Sequence, residues 1–226
     1  VSAGAEVVVV EGVRRSFGAL VPVLQDVSFR LEPGELVLLR GPSGAGKSTV
    51  LNLVAGLDRP DGGEVLVDGV RVAGLGHPAR FRREVVGFVF QLHHLLAELT
   101  AEENVEVPLI PAHLRRSQRR ARARAALAEV GLGDRATHRP VELSGGERQL
   151  TAVARAIVGR PRLLLADEPT GSLDAIAGER VLGLIGRLSR DQGMTVLLVS
   201  HDPRAAGRVD RVLELRDGRI VAPEPR

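Results

Sequence analysis

Nine consecutive residues, Gly41, Pro42, Ser43, Gly44, Ala45, Gly46, Lys47, Ser48 and Thr49, have the types and spacing needed to hold a triphosphate. Gly41 and Gly46 permit tight backbone turns, so several N–H groups can converge on one anion. Lys47 is placed to reach the outer phosphates, and Ser48 to offer its hydroxyl to Mg2+. Residues 36–39 before the loop form a short apolar run, and residues 50–57 after it read as the body of a helix. A strand, a glycine-rich loop and a helix N-terminus in that order make an anion site, because the helix macrodipole adds to the N–H donors. The stretch reads as a P-loop for a nucleoside triphosphate. The alternative, a chance glycine-rich turn, leaves the full pattern in this context unexplained.

The chain has 31 basic residues and a single lysine, and that lysine is Lys47. An ammonium is compact enough to sit among phosphates, whereas a guanidinium is a wide planar fork, so this position asks for what arginine cannot give.

Further groups could join this chemistry. In Leu143-Ser144-Gly145-Gly146-Glu147, a serine and two glycines precede a helix that the spacing places over residues 148–158, a second anion cradle of different composition. Residues 163–166 read as a buried strand ending on Asp167 and Glu168. Two acids at the carboxyl end of a central strand are costly to bury unless they serve a cation or a proton transfer, and a bound triphosphate supplies a reason for both. Gln91 ends an apolar strand over residues 85–90, where its amide either reaches a metal or a water or is simply solvated. His201 ends a strand over residues 194–200 and is either structural or faced into the same crevice as the acids. Phe17, in a chain without tyrosine or tryptophan, is either a surface ring for stacking on a base or a small core contact.

Elements must position these groups. Residues 7–10 and 27–31 read as strands joined by a segment holding Arg15, Ser16, Phe17 and Gly18, and residues 64–67 with the turn Asp68-Gly69 read as a small hairpin. From residue 92 to 155, strand runs give way to helical spacing. Thr100 and Glu103 form a capping box there, and one helix running to Val130 carries Arg115, Arg116, Arg119, Arg120, Arg122 and Arg124. That run either faces solvent or touches nucleic acid or acidic lipid; without interleaved aromatics, the solvated face is favoured. Ser172, Leu173 and Asp174 read as a turn.

Bulk properties bound the rest. A chain of 226 residues, 44% hydrophobic, allows one sizeable domain or one domain with a subdomain. With a net charge of only +3, the pI of 10.6 reflects arginine in place of lysine and is no nucleic-acid footprint. The absence of cysteine excludes disulfides and thiolate metal sites. No apolar stretch approaches the roughly 20 residues of a bilayer span, and the run at 7–10 is too short for a signal-peptide core. The chain is expected to be soluble and cytoplasmic, with any membrane role exercised through a partner.

Taken in order, residues 41–49, Gln91, LSGGE, LLLADEP at 163–169, Ser172-Leu173-Asp174 and His201 resemble the ATP-binding subunits of ABC transporters along nearly the whole chain. Gly87-Phe88-Val89-Phe90-Gln91, His93-His94-Leu95-Leu96, Glu103-Asn104-Val105 and Pro108-Leu109 resemble the lipoprotein-releasing and macrolide-export branch. The fold implied is α/β: a P-loop NTPase (RecA-like) core with a mainly parallel sheet, an N-terminal antiparallel β subdomain and an inserted helical subdomain. The implied division is a single domain over 1–226, with the nucleotide-binding core at 1–91 and 157–226 and the helical subdomain at 92–156.

The resemblance also implies ATP and Mg2+ as ligands. Residues 41–49 would cradle the phosphates with Ser48 on the metal, and Phe17 would stack on adenine where the family usually has tyrosine. Gln91 would sense the metal and the attacking water, Asp167 would hold Mg2+ through water, Glu168 would be the general base, and His201 would contact the γ-phosphate. Ser144, Gly145 and Gly146 would close on ATP bound to a second copy in a head-to-tail dimer, with Asp174 beside the nucleotide. The implied partner is a membrane permease, contacted near residues 93–96 unless those belong to the helical core. No direct nucleic-acid contact is expected, and the implied location is peripheral on the inner face of the cell membrane. Leu150 departs from the pattern, since the family usually has arginine there, and Phe17 lacks the tyrosine hydroxyl. Two rivals within the family are a soluble ATPase acting on DNA or ribosomes, which commonly carries a coiled-coil insertion, a second cassette or a basic tail, and a cell-division-type ATPase. A small-molecule kinase would share the P-loop without needing LSGGE.

Overall fold

The computed structural model describes residues 6–17 and 21–221; Gly18 lies outside them. In chain order the elements are β1 (Val8–Phe17), β2 (Val21–Leu31), β3 (Leu36–Arg40), α1 (Lys47–Val54), β4 (Gly62–Val67), β5 (Val70–Arg71), α2 (Pro78–Glu84), β6 (Val86–Val89), α3 (Ala101–Glu106), α4 (Arg116–Glu129), α5 (Gly145–Ile157), β7 (Leu163–Asp167), α6 (Ala175–Gln192), β8 (Thr195–Val199), α7 (Pro203–Ala206), β9 (Arg211–Arg216) and β10 (Arg219–Val221).

Two sheets organise them. An antiparallel sheet has the order β2-β1-β4-β5, and a six-stranded sheet has the order β10-β9-β3-β8-β7-β6. In the larger sheet β9, β3, β8, β7 and β6 run parallel, and only β10 returns antiparallel. Strands buried on both faces read as unbroken apolar runs, which is why residues 36–39 and 163–166 announce themselves in the sequence. Alternate side chains serve two cores. Val37, Leu39, Leu163, Leu165 and Leu197 pack with Val50, Leu51 and Leu53 of α1 and the antiparallel sheet. Leu36, Leu38, Leu164 and Leu198 pack on the other face with Val105, Leu127, Val153 and Ile185 of α3, α4, α5 and α6. The helices of residues 101–157 thus share one apolar cluster with the sheet.

Several expected boundaries move. Arg15, Ser16 and Phe17 belong to β1 itself and not to a joining segment; register shifts between Val10 and Ser16, with Gly12 at φ +58, break the two-residue alternation that would have revealed the strand. Helix α1 begins at Lys47, inside the phosphate loop, and α5 begins at Gly145, three residues before the expected start. Glycine's poor helix propensity hides both starts. Residues 92–99 form no helix, and α3 has only six residues, opened by the expected capping box of Thr100 and Glu103.

The arginine-rich helix α4 is more than a solvated face. Glu102 of α3, its side chain only 3% exposed, accepts from Arg120 Nε at 2.5 Å and Arg124 Nε at 2.7 Å, and Arg119 Nε reaches Glu106 at 2.8 Å. Burial pushes the Glu102 carboxyl up, but its hydrogen bonds from Arg124 and Arg120 and their charges outweigh burial and hold it below the usual carboxylate range. A depressed folded-state pKa contributes stability above the unfolded pKa and loses it as pH falls through the folded value. Glu102→Ala should therefore cost about 2 kcal/mol in urea unfolding at neutral pH, and the difference should narrow below about pH 4. An equal cost at neutral and acid pH would assign the loss to packing instead of charge.

Candidate active site

The phosphate loop is built by the local sequence. Ala45 N donates to Pro42 O at 3.2 Å, closing a turn, and Gly46 caps α1 with φ +101, a conformation that favours glycine. A Cβ on Gly46 would also lie 2.7 Å from Leu24 Cδ2, and one on Gly41 would lie 2.1 Å from Leu215 O of β9. Helix α1 has no side-chain cap and no acid in its first turn, so no side chain of its own competes with an anion there. Lys47 is 7% exposed, and its Nζ donates to Gly41 O at 2.9 Å and Pro42 O at 3.0 Å. An ammonium has three donors; two hold the loop and one is left for a phosphate. Ser48 and Thr49 follow on the first turn, Ser48 exposed and Thr49 half-buried.

The acids sit at the same edge of the sheet. Asp167 ends β7 opposite Val199 of β8, and both Asp167 and Glu168 are half-buried. Glu168 takes a left-handed φ of +46 and is held by its N–H on Val199 O at 2.9 Å and by its Oε2, which accepts from His201 N at 3.1 Å. Non-glycine residues persist in that conformation only where their surroundings fix them. His201 Nε2 lies 3.3 Å from Glu168 Oε1, within ion-pair distance, but that buried oxygen accepts no hydrogen bond. Gln91 is exposed just beyond β6, and a Cβ placed on Gly171 would be 3.5 Å from both Gln91 Nε2 and Glu168 O, which sets the amide against the acid-bearing loop. Gly41, Pro42 and His201 line one cavity of about 560 Å³. This edge brings together a phosphate loop, two carboxylates, an amide and an imidazole.

A sequence model of the family described as ABC transporter matches residues 24–171, well over half of the chain. The chain belongs to the ABC transporter family. It is 49% identical over 224 residues to the macrolide export ATP-binding/permease protein MacB 1/2 of Paracoccus denitrificans, covering 97% of this chain and 33% of that protein. It is 45% identical over 212 residues to the lipoprotein-releasing system ATP-binding protein LolD of Porphyromonas gingivalis, covering 93% of this chain and 96% of that protein. The dimeric structure of the bacterial ABC transporter cassette MJ0796 matches with a TM-score of 0.88 at 38% identity, covering 95% of this chain and 97% of that one. The chain spans about a third of the length of the MacB relatives. As an ABC cassette it binds and hydrolyses ATP.

The second cradle of this cassette differs from the first. Ser144 caps α5 by accepting from Glu147 N at 3.2 Å, while Ser144 N donates to Glu147 Oε2 at 2.8 Å. The Ser144 N–H and hydroxyl, with Arg135 as a lesser cause, hold the Glu147 carboxyl below its usual range. The Ser144 hydroxyl thus accepts from Glu147 N and turns its own proton toward the Glu147 carboxylate, so bonding an incoming oxygen requires it to rotate away from that partner. Ser144, Gly145, Gly146 and Asp174 line a separate cavity of about 1070 Å³ that includes no residue of 41–49. Within one chain the two cradles do not meet. Asp174 caps α6 by accepting from Ala177 N at 2.8 Å, and Leu150 packs in the helical core where the family pattern puts an arginine.

Phe17 is 50% exposed, with the Arg15 guanidinium carbon 5.0 Å from its ring centroid, so the small-core reading of Phe17 fails. Sequence reasoning does not single out Arg155. This half-buried side chain of α5 donates to His93 O at 2.7 Å and His94 O at 2.6 Å, pinning the segment just after Gln91 to the helix that Ser144 caps. Only a contact 61 or 62 residues away in the chain gives it this role.

Lys47→Arg should lose ATP turnover nearly as fully as Lys47→Ala, by a factor on the order of 10², because the fork cannot both brace two carbonyls and reach a phosphate in so tight a loop. ATP binding and hydrolysis of the two variants measure this; turnover near the parent level in Lys47→Arg would show that a guanidinium fits.

Proposed function

We propose that this cassette is the ATPase unit of a transporter of the lipoprotein-release or macrolide-export type, hydrolysing Mg2+-ATP at sites shared by two copies and driving a membrane permease. The observation that carries the shared-site reading is that the cavity lined by Ser144, Gly145, Gly146 and Asp174 includes no residue of the phosphate loop. Apposing two chains head to tail lets Ser144, Gly145 and Gly146 of each complete the phosphate site of the other. The dimeric state of the similar cassette MJ0796 supports this arrangement.

Ser48 and Asp167 fit a metal carried in by the nucleotide. Among the described residues no cluster of three or more histidine, cysteine or acidic groups could hold a metal by itself, and Mg2+ is commonly bound by one or two protein oxygens together with substrate phosphates. The ion would supply charge neutralisation at the phosphate oxygens. The chain's own groups do the rest. Lys47 holds the outer phosphates with its remaining donor, and His201 and the opposing Ser144 add donors where negative charge grows in the transition state. Gln91 orients a water against Glu168. The water oxygen forms its bond to the γ-phosphorus as the bond to the ADP oxygen breaks, and its proton passes to the Glu168 carboxylate.

The permease reading is supported by similarity to proteins named for macrolide export and lipoprotein release, and by one apolar face. Leu57, Phe88, Phe90, Val107 and Pro108 line a groove of about 410 Å³, with Leu92 65% and Leu96 51% exposed on the segment that follows Gln91. Among the described residues no helix is long and apolar enough to cross a membrane. A permease seated in this groove would hold the cassette at the inner membrane face, with residues 92–156 as the helical subdomain that moves with it.

Glu168→Gln keeps the side-chain shape but cannot take the proton, so turnover should fall by about 10² to 10⁴ while ATP still binds. With one negative charge fewer near the phosphates, the variant should elute as an ATP-dependent dimer on size exclusion. Adding Ser144→Arg should abolish that dimer by obstructing the second cradle. A Glu168→Gln protein that stays monomeric at saturating Mg2+-ATP would count against closure by this unit alone, and parent-level hydrolysis would remove Glu168 from the role of base.

A further inference from the structure

Behind Phe17 stands a side chain held more firmly than the ring itself. Arg15 and Phe17 are two residues apart on β1, and the guanidinium carbon lies over the ring, 5.0 Å from its centroid. Its donors are directed into two carboxylates. Nε and Nη2 go to the two oxygens of Asp58 at 2.9 and 2.8 Å, and Nη1 goes to Asp61 Oδ1 at 2.8 Å. Asp61 is fixed in turn: its Oδ2 accepts from Ser16 N at 2.7 Å, and its N–H donates to Arg14 O at 2.8 Å. The Ser16 N–H and then the Arg15 guanidinium hold the Asp61 carboxyl below the usual range, so it stays ionised. The guanidinium beside the ring is thus tethered by two carboxylates, while Phe17 is 50% exposed.

The anchor points matter as much as the plane. Asp58 and Asp61 lie in the turn after α1, and Leu57 N and Asp58 N both donate to Asn52 O in that helix. Helix α1 starts at Lys47, so the clamp on Arg15 and the phosphate loop sit at opposite ends of one eight-residue helix, about 12 Å long. Arg15 is thereby joined to the far end of the helix whose start is the phosphate loop.

We propose that Arg15, clamped by Asp58 and Asp61 to the end of α1, is a positioning residue for nucleotide binding: it backs the Phe17 ring so that the open face is presented flat to the base. This rests on the reading that the base of ATP stacks on Phe17. Lysine in place of Arg15 keeps the charge and an ion pair but has neither the fork for two carboxylates nor a plane to lay on the ring.

The test uses the full chain, titrated calorimetrically with ATP and with inorganic tripolyphosphate, which has the phosphates and no base, both with Mg2+. Phe17→Ala should weaken ATP binding about ten-fold and leave tripolyphosphate unchanged. Arg15→Lys should weaken ATP about three- to five-fold, again with tripolyphosphate unchanged, and should have no further effect in the Phe17→Ala background. If Phe17→Ala binds ATP as the parent does, the stacking reading fails and takes the proposal with it. If Phe17→Ala weakens ATP but Arg15→Lys does not, the role of Arg15 alone is overturned. Equal weakening of ATP and tripolyphosphate by Arg15→Lys would mean that the clamp serves the phosphate loop and not the base.

Discussion

Parallel pairing of β3, β8, β7 and β6 is the constraint on which the site depends. In a parallel sheet all strands end at the same edge, so whatever follows each strand is delivered to one crevice. Leu39 and Asp167 both pair with Val199, and Val89 pairs with Ala166, which aligns the four strand ends within a residue or two. Gly41, Gln91, Asp167, Glu168 and His201 meet for that reason. A single slip in register would turn Asp167 to the other face and exchange Leu163, Leu164, Leu165 and Ala166 between the two cores they fill, so their packing holds the carboxylates in place.

Charge use divides sharply between the two cations. The one lysine sits where three point-directed donors are needed at close quarters. Arginine does the bracing elsewhere: Arg15 on two aspartates and Arg155 on two carbonyls through more than one nitrogen, Arg120 and Arg124 each through Nε on one buried glutamate, and Arg40 with Arg216 on Glu214. Several of these join segments far apart in the chain. The net charge stays at only +3 because 28 acidic residues balance the 31 basic ones.

The two helix N-termini in the chemistry are prepared differently. Helix α1 has a glycine cap and leaves its anion site uncovered, whereas α5 is capped by Ser144 and Glu147 and carries a carboxylate in its first turn. An N-terminus already satisfied by its own side chains attracts a free anion less strongly. On the proposed shared-site reading, the first N-terminus would hold nucleotide in the single chain and the second would contribute when a loaded partner is brought against it.

The sequence by itself determined the chemistry and the core. Residues 41–49, the acids after residue 166, LSGGE and the continuous apolar runs are local patterns whose function follows from spacing along the chain, and a parallel α/β core follows from strands without alternation. The true starts of α1 and α5 were hidden by glycine, although Ser144 and Glu147 have the same capping spacing as Thr100 and Glu103 and could have revealed the second. Tertiary structure alone decided the rest. That Phe17 is exposed, that Arg15 is clamped by residues 43 and 46 positions onward, and that Arg155 reaches back to His93 and His94 are contacts between distant segments. No local spacing encodes such a contact, because the partner of a long polar side chain is set by which elements the sheet order brings side by side.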